Sequence, residues 1–399
     1  MKRLTILHVV QCAGGVDSYL RMLLSHMDRQ QFRHIFVCSA KYRQDAYLSL
    51  VDEFVQVDMR HSLSPMADMK AVISVRRAVK QFRPDVVYCH SSKGGGIGRL
   101  ACIGLGIPVM YNPHGWAFSM RGSKIKSLIY LFLEKMLAPC TDQYVVISYY
   151  EQMVAVQKRV ADAKKMKVIY NGIDIQSASH QLAASPVTRQ SLGIPEDAYL
   201  ICMAGRISAQ KAPDVFVRMA VRVHKELPEA YFMIVGDGDE RSEIEHMINE
   251  YGLSNCFLIT GWKESSIPYI TLADQAVLLS RWEGFGLVLA EYMLLGKPIV
   301  ATEVNAIPEL VVNHENGILV PCDNDRRAAE AVLNIYKDKT MRDKFIKNGT
   351  MRLHALFNIS RVGMEHEHLI ADVCKMGGGK NEQLIDCEAV LLKERRTAA

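Results

Sequence analysis

Residues 281–302 form the stretch RWEGFGLVLAEYMLLGKPIVAT, which has the clearest pattern in the chain. An apolar run ends at Ser280, a turn containing Gly284 and Gly286 follows, and residues 287–295 have the composition of a helix. A second apolar run covers 298–302. Strand, glycine turn, helix and strand in this order form the repeating unit of a parallel sheet covered by helices, so the stretch predicts an α/β fold.

The same alternation extends in both directions along the chain. It predicts strands at 5–11, 34–39, 86–90, 109–112, 143–147 and 167–170, with helical patterns such as 18–27 and 71–82 between them. After the polar stretch 176–190 it predicts further strands at 199–204, 231–235, 256–260, 275–280 and 298–302.

This restart predicts two Rossmann-like, doubly wound domains at 1–180 and 181–375, a hinge near 175–195, and a linker and tail at 376–399. Because ligands of such sheets bind beyond the carboxyl ends of the strands, we expect the two domains to face each other across a cleft.

Composition favours an ordinary globular protein in a reducing compartment. Of 399 residues, 49% are hydrophobic and 23% are charged, and the ten cysteines are scattered singly without a C-x-x-C pair. The apolar start of the chain is short and interrupted by His8, which favours a first strand over a secretory signal. No apolar run approaches the ~18 residues that span a bilayer. We expect a cytoplasmic protein, either free or peripheral at the membrane.

Charge is shared unequally between the two halves. Residues 1–175 contain 24 Lys and Arg against 13 Asp and Glu, whereas the remainder contains 24 against 30. The basic half suits an anionic partner such as nucleic acid, a membrane surface or a phosphorylated acceptor, and equally a solvated surface. In two segments, 66–80 and 120–140, basic residues accompany apolar residues at helical spacing. They are either interfacial helices or helices with an ordinary core-facing side.

Glu283 and Glu291 flank the predicted turn and the first turn of its helix. Unpaired N–H groups and the positive dipole end of a helix beginning near Leu287 favour an anion, and Gly284 and Gly286 allow close backbone approach. The two carboxylates suit sugar and ribose hydroxyls. A packing turn with two solvated glutamates is the structural alternative.

Two further turns follow predicted strands. Gly205, Arg206 and Lys211 would place two cations at the end of the strand 199–204, where they suit a diphosphate or are simply surface charges. The run VGDGD at 235–239 contains Gly236 and has the form of a D-x-D metal site or a dinucleotide turn. The family resemblance given below implies a third possibility, a turn that lines the nucleotide cleft without binding a metal.

Taken together, these motifs resemble the family 4 (group 1) retaining glycosyltransferases of GT-B fold. Glu283 and Glu291 fit that family's E-x7-E element, and the match continues with GKPIVAT at 296–302, Glu309, Asn316-Gly317 and LVP at 319–321. The resemblance covers roughly residues 5–355. It departs from the pattern at Asn305, which with the next residue replaces a usual glycine pair, and from 348 to 374, where the return of the last helix to the first domain is presumed.

The resemblance implies roles for individual residues. In the first domain the turn Gly14-Gly15, which lacks G-x-G-x-x-G spacing, would approach the donor phosphate, and His114 would lie near the donor sugar. The segment 90–96 either contacts the acceptor or forms a turn. The implied catalytic residues are His114, Glu283, Arg206 and Lys211, and the implied donor-binding residues are Gly14, Gly15, Gly205, Gly236, Gly284, Phe285, Gly286, Leu287 and Glu291.

The expected function is transfer of a hexose-type sugar from a nucleoside diphosphate sugar, most commonly a UDP-sugar in this family, with retention of configuration. The expected acceptor is a glycan or a polyprenyl-diphosphate-linked intermediate of surface polysaccharide, such as capsule or exopolysaccharide. Neither a metal nor a separate cofactor is expected, and nucleic acid is not an expected partner. A nucleotide-sugar epimerase of the same fold and a non-catalytic nucleotide-sugar-binding subunit remain alternatives.

Overall fold

The computed structural model describes residues 3–11, 14–60, 62, 64–119, 123–184 and 187–377. The first half of the chain contains β1 (Leu4–Val10), α1 (Gly15–Ser25), β2 (Phe32–Cys38), β3 (Glu53–Gln56), α2 (Pro65–Phe82), β4 (Val86–His90), α3 (Ser92–Cys102), β5 (Val109–Asn112), α4 (Lys124–Leu137), β6 (Gln143–Val146), α5 (Tyr149–Gln157) and β7 (Met166–Val168).

The second half contains α6 (Ile175–Ala184), β8 (Tyr199–Ala204), α7 (Pro213–Glu226), β9 (Ala230–Val235), α8 (Arg241–Glu250), β10 (Phe257–Ile259), α9 (Ile267–Thr271), β11 (Gln275–Leu278), α10 (Leu287–Leu294), β12 (Ile299–Thr302), α11 (Ile307–Leu310), β13 (Ile318–Val320), α12 (Asp325–Lys337), α13 (Lys339–Leu356) and α14 (Ile359–Gly377).

Two parallel sheets organise these elements. The first has seven strands in the order β3-β2-β1-β4-β5-β6-β7, and the second has six in the order β10-β9-β8-β11-β12-β13. The strand order reverses between β1 and β4 in the first sheet and between β8 and β11 in the second. At such switch points the loops after neighbouring strands diverge and leave a crevice for ligands. The predicted pair of doubly wound α/β domains is confirmed.

Burial explains why these segments form strands. The central strands β4, β5, β11 and β12 are buried at every residue, as expected for parallel strands covered by helices on both faces. The helix α7 turns Val215, Phe216 and Met219 into the core of the second sheet. Apolar residues on the buried face of such a helix recur every three or four positions, and this periodicity is what predicts a helix from the sequence.

The sequence pattern missed two strands, β3 and β13. Both lie at sheet edges and have only four and three residues, so neither gives a run long enough to identify. Helix α1 begins at Gly15, one turn earlier than the predicted 18–27.

The last helix, α14, packs on the first domain although it lies within the predicted second domain, 181–375. Val362, Ile370 and Val373 are buried against Tyr19 and Leu23 of α1. The helix has its apolar side chains on one face, and that face finds its cover beside α1. The predicted boundary at residue 180 falls inside α6, which packs on α9 of the second domain. The predicted tail, 376–399, lies outside the described residues from 378 onward.

The chain passes between the domains twice, and the two crossings lie side by side. The Ile173 N–H donates to the Phe357 carbonyl at 2.8 Å, and the Ile359 N–H donates to the Ile173 carbonyl at 3.1 Å. Tyr170 packs against Phe285 and Phe357 at the same junction. Within the described residues, no helix combines the length and apolar character needed to cross a membrane.

Candidate active site

A cleft of about 400 Å³ opens at the switch point of the second sheet, beyond the carboxyl ends of β8 and β9. It is lined by Ala204, Gly205, Arg206, Lys211, Val235, Gly236, Asp237, Trp262, Lys263, Glu264, Ser266, Val288 and Glu291. The cleft therefore brings together five of the residues predicted from sequence and lies where doubly wound sheets bind ligands.

Two glycines let the turns after β8 and β9 pass each other at the back of the cleft. A Cβ on Gly236 would lie 2.0 Å from the Gly205 carbonyl oxygen, and Gly236 has a φ of 153°. Gly205 has a φ of 149°, and a Cβ there would lie 3.3 Å from the Cε of Lys211. Any other residue at position 236 would force the two turns apart.

Two cations stand at the mouth of these turns. Arg206 is exposed and has neither a hydrogen bond nor an ion pair with any residue that the structure describes. Lys211 forms an ion pair with Glu283, and their side chains are 16% and 7% exposed. The Ser280 hydroxyl donates to the same carboxylate oxygen, Oε1 of Glu283, at 2.7 Å. A lysine ammonium carries three N–H donors, so this pair leaves Lys211 able to bind a second anion.

Asn305 holds the backbone at Glu283. Its side-chain Oδ1 accepts a hydrogen bond of 3.1 Å from the Glu283 N–H. Asn305 has a φ of 49°, in the left-handed region that favours glycine and that asparagine tolerates. The residue that departs from the family's glycine pair thus keeps the glycine-like backbone and adds a side-chain contact to the loop.

Glu291 lies on α10 with its carboxylate turned into the cleft. Its Oε2 accepts a hydrogen bond of 2.7 Å from the Ser266 hydroxyl. Burial raises the pKa of Glu291 above its ordinary value, while the Ser266 hydroxyl and the charge of Lys211 partly oppose that rise. The carboxylate is held in one orientation and retains acceptor capacity for hydroxyl groups of a ligand.

The turn before α10 divides its residues between the cleft and the core. Gly286 caps the helix with a φ of 85°, and a Cβ on Gly284 would meet no atom within 4 Å. Leu287 is the first residue of the helix. The Phe285 side chain is buried at the domain junction against Tyr170, so any contact of this residue with a ligand must come from its backbone.

The predicted residues of the first domain form a separate group. His114 follows β5 with a φ of 51°, and its backbone N–H donates to Asn112 Oδ1 at 2.9 Å. Its Nε2 lies 3.1 Å from His90 Nδ1, so the far end of the ring is turned into the domain. Burial, and then repulsion from His366, lowers the pKa of His114 to about 3. The imidazole is therefore neutral at ordinary pH.

The glycine turn of the first domain leads directly to this histidine. Gly14 has a φ of 95° and Gly15 begins α1. The Tyr19 ring on the same helix packs edge-on to His114, with 5.1 Å between ring centroids. Among the described residues, no hydrogen bond joins this group to the cleft of the second domain.

The VGDGD turn has a structural explanation for its first carboxylate. Asp237 accepts a hydrogen bond from the backbone N–H of Gly238 at 2.8 Å and forms an ion pair of 3.1 Å with Arg241. Those contacts, the backbone one first, lower the pKa of Asp237. In the part of the chain that the structure describes, no group of three or more His, Cys, Asp or Glu side chains is arranged to hold a metal ion.

The sequence patterns gave no indication of several residues at the cleft. Ser266 and Trp262 line it, the latter with 74% of its surface exposed, and Ser280 and Asn305 fix Glu283. Serine is common in loops, and no spacing marked Ser266, Ser280 or Trp262, whereas Asn305 stood out only as a departure from the family's glycine pair. The exposure of Trp262 is visible only in the structure.

Comparison with known proteins identifies the class to which this two-domain fold belongs. Residues 13–177 match Glycosyltransferase Family 4, and residues 185–352 match Glycosyl transferases group 1. The chain belongs to this family of glycosyltransferases and has the GT-B fold.

Individual relatives cover most of the chain. The UDP-Gal:alpha-D-GlcNAc-diphosphoundecaprenol alpha-1,3-galactosyltransferase of Escherichia coli is 27% identical over 346 residues, which are 85% of this chain and 89% of that protein. A 41.2 kDa protein from the cps region of Klebsiella pneumoniae is 25% identical over 82% of this chain and 88% of its own length. The structure of Anabaena HepE with UDP and glucose superposes with a TM-score of 0.76 at 20% identity, covering 92% of this chain and 100% of HepE.

Proposed function

We propose that this glycosyltransferase moves a hexose from a UDP-sugar to a lipid-linked glycan in the synthesis of a surface polysaccharide, with the anomeric configuration retained. The observation that carries the proposal is the pair Arg206 and Lys211 beside the cleft at the end of β8. A free guanidinium and a lysine with spare donors can neutralise a diphosphate. The adjacent N-terminus of α10 adds further unpaired N–H groups.

The donor and acceptor classes are supported by the relatives. The Escherichia coli protein is named for a UDP-galactose donor and an acceptor linked through diphosphoundecaprenol, and HepE was solved with UDP and glucose. In the proposed complex the diphosphate lies at Arg206 and Lys211, and Glu291 accepts from the ribose hydroxyls. The Trp262 ring, exposed at the cleft, offers a face on which the base stacks.

In the proposed reaction, the bond between the anomeric carbon and the diphosphate oxygen breaks. A bond from the acceptor oxygen forms on the same face of the sugar, and the acceptor proton passes to the departing phosphate oxygen. Negative charge grows on the diphosphate, where Arg206, Lys211 and the start of α10 stabilise it. The remaining contribution is positioning of donor and acceptor. The proposal requires neither a metal ion nor a cofactor besides the donor, and it places the enzyme in the cytoplasm.

Removal of the free guanidinium tests the diphosphate assignment. Arg206→Ala should cost about 2–4 kcal/mol in kcat/KM, the cost of losing one preorganised donor to developing charge. The matched control is Arg326→Ala, because Arg326 is 64% exposed on α12 and forms an ion pair with its helix neighbour Glu330. Equal turnover of Arg206→Ala and the control would contradict the assignment.

The reaction class is tested with a panel of radiolabelled nucleotide sugars and membranes. Transfer predicts label in the lipid fraction, an epimerase predicts altered free nucleotide sugar, and a non-catalytic binding subunit predicts neither. NMR of the product gives the anomeric configuration, and an inverted product would contradict retention. Activity that survives EDTA would support the metal-free proposal, and activity restored only by a divalent cation would contradict it.

We also propose that the first domain touches an anionic membrane through α4. Its exposed apolar residues recur every three or four positions and form one stripe: Ile125, Leu128, Ile129, Phe132, Leu133 and Met136. Lys124, Lys126 and Lys135 are exposed on the same helix. Helix α2, which like α4 packs on α3, also exposes apolar residues: Met66, Met69 and Ile73. Residues 120–122 of the predicted segment lie outside the described residues.

Basic side chains beside an exposed apolar stripe suit an interfacial helix, and each Lys near an anionic leaflet adds ~1 kcal/mol. Phe132→Glu should abolish co-sedimentation with phosphatidylglycerol vesicles, whereas Met351→Glu should not. Met351 is a matched control because it is 61% exposed on α13, away from the stripe. A wild-type chain that ignores vesicles and forms dimers by light scattering, lost in Phe132→Glu, would instead assign the stripe to a second copy.

A further inference from the structure

Four histidines are joined by hydrogen bonds in a row across the first sheet, and we call this row the histidine file. They are His34 on β2, His8 on β1, His90 on β4 and His114 after β5, and these strands are neighbours in that order. His34 Nδ1 lies 3.2 Å from His8 Nε2, His8 Nδ1 lies 3.2 Å from His90 Nε2, and His90 Nδ1 lies 3.1 Å from His114 Nε2. The file starts in the core and ends at the predicted site residue.

All four rings are held in an environment that disfavours charge. His34, His8 and His90 are fully buried, and His114 is partly buried. Burial lowers the pKa of each ring, and repulsion between the rings lowers those of His8 and His90 further. The other ionisable groups facing the file are Tyr19, Tyr88 and His366 along it, and Asp52, Arg3 and Arg29 at its inner end. The file therefore consists of neutral imidazoles.

Because every ring is neutral, the hydrogens on the ring nitrogens of the file can be arranged in only two orders. Each ring carries one N–H, and each of the three contacts needs one N–H facing one bare nitrogen. If His114 carries its hydrogen on Nε2, every ring donates inward and His34 ends with a hydrogen on its own Nε2. If His34 Nε2 is bare, every ring donates outward and His114 carries its hydrogen on Nδ1. The tautomer of His114 therefore depends on whether Nε2 of His34, three rings away, carries a hydrogen.

The inner end decides between the two orders. His34 Nε2 is buried and has no hydrogen-bond partner among the described residues. Unpartnered buried N–H groups are rarer in native proteins than unpartnered acceptors. The outward order avoids an orphaned N–H in the core. At the other end, His114 is only partly buried, and its Nδ1 has no partner among the described residues.

We propose that His34, His8 and His90 are positioning residues that fix His114 as the Nδ1–H tautomer. His114 then offers the site a hydrogen-bond donor and holds its own Nε2 as an acceptor for His90. Tyr19 supports the same ring from the side through its edge-on contact. No covalent or proton-transfer step is involved.

The consequence for catalysis rests on the proposed function. A neutral Nδ1–H donor can bind a sugar hydroxyl or a phosphate oxygen that gains charge, as neutral histidines do in other enzymes. It cannot accept the proton of the acceptor hydroxyl, because its lone pair at Nε2 is occupied by His90. His114 is thereby a donor to the substrate rather than a general base.

Nitrogen-15 NMR of histidine-labelled protein tests the tautomer without any substrate. His366 supplies an internal reference, since its Nδ1 must donate to the Val362 carbonyl at 2.8 Å. We expect His34, His8, His90 and His114 all to show the protonated signal at Nδ1 and the bare signal at Nε2, as His366 does. A protonated Nε2 on His114 would overturn the proposal.

Two variants of nearly equal size separate a tautomer effect from a packing effect. His90→Asn keeps an amide N–H near His114 Nε2 and should preserve the Nδ1–H signal and most of kcat. His90→Asp presents an acceptor, so it should move the hydrogen of His114 to Nε2 and lower kcat by about 10- to 100-fold with KM little changed, as for a lost hydrogen bond to developing charge. Equal kcat in both variants would overturn the link to activity. If His90→Asp does not fold, the spectrum of the wild-type protein still decides the tautomer. If that spectrum is as expected but no nucleotide sugar supports transfer, only the proposed function is refuted.

Discussion

Acidification should weaken the first domain steeply, because five histidines, four of them fully buried, are held there without charge. Burial lowers the pKa of His34 and His366 to about 4 and that of His114 to about 3, and it places His8 and His90 well below the ordinary 6.5. Below pH 6.5 the unfolded chain therefore binds protons that the folded chain does not. The free energy of unfolding must then fall as pH falls.

The magnitude follows from the same values. Each such histidine removes about 1.4 kcal/mol from the free energy of unfolding at pH 5.5, one unit below its unfolded pKa, and five remove about 7 kcal/mol. Glu151 works in the opposite sense, because burial raises its pKa to about 8 and the folded state takes up its proton first. As the pH falls from 7.5 to 5.5, Glu151 adds about 2 kcal/mol to the free energy of unfolding. The net loss is about 5 kcal/mol, a large part of the 5–15 kcal/mol typical of a domain.

Urea unfolding followed by circular dichroism at pH 7.5, 6.5 and 5.5 measures this loss. His34→Leu removes one titrating group and should flatten the dependence by about 1.4 kcal/mol over that range. His246→Ala is the matched control, since the His246 side chain is 81% exposed on α8. An unfolding free energy that stays constant from pH 7.5 to 5.5 would refute the reasoning, as would equal slopes for the two variants.

Three substitutions test the second domain and the domain junction. Gly236→Ala would place its Cβ 2.0 Å from the Gly205 carbonyl oxygen, so thermal unfolding should show a loss of several kcal/mol, about 3 or more. Ser266→Ala removes the 2.7 Å hydrogen bond to Glu291 and should weaken UDP-sugar binding by about 1 kcal/mol in calorimetry. Glu309→Ala removes a carboxylate of the second domain that accepts from two N–H groups at the start of α5 at 2.8 and 2.7 Å, and should cost about 1 kcal/mol in thermal unfolding.

Each of these predictions has a control in the same chain. Gly284→Ala should leave stability nearly unchanged, because its Cβ would meet no atom within 4 Å, and a loss equal to that of Gly236→Ala would contradict the steric argument. If Ser266→Ala binds the donor as tightly as the wild-type protein, the placement of Glu291 in the binding site is contradicted. For Glu309→Ala, a glutamine at the same position should recover part of the loss, and no loss in either variant would show that the junction does not depend on this cap.

The sequence by itself determined the local units. The turn from Ser280 to Gly286 and the helix that follows it depend on contacts between residues a few positions apart, and periodicity records such contacts directly. Gly236 also follows a buried strand directly, a position where glycine indicates close backbone approach, and its turn passes against Gly205. The edge strands β3 and β13 were missed because four and three residues are too few for a recognisable apolar run.

Only the tertiary structure decided which side chains meet. Lys211 reaches Glu283 across 72 positions, and Ser266 reaches Glu291 across 25. The histidine file exists because β2, β1, β4 and β5 are neighbours, an order produced by crossover connections rather than by sequence adjacency. Local patterns specify that a strand forms and which face is buried, whereas the order of strands and the return of α14 to the first domain depend on how apolar faces cover one another. The site is built from that order.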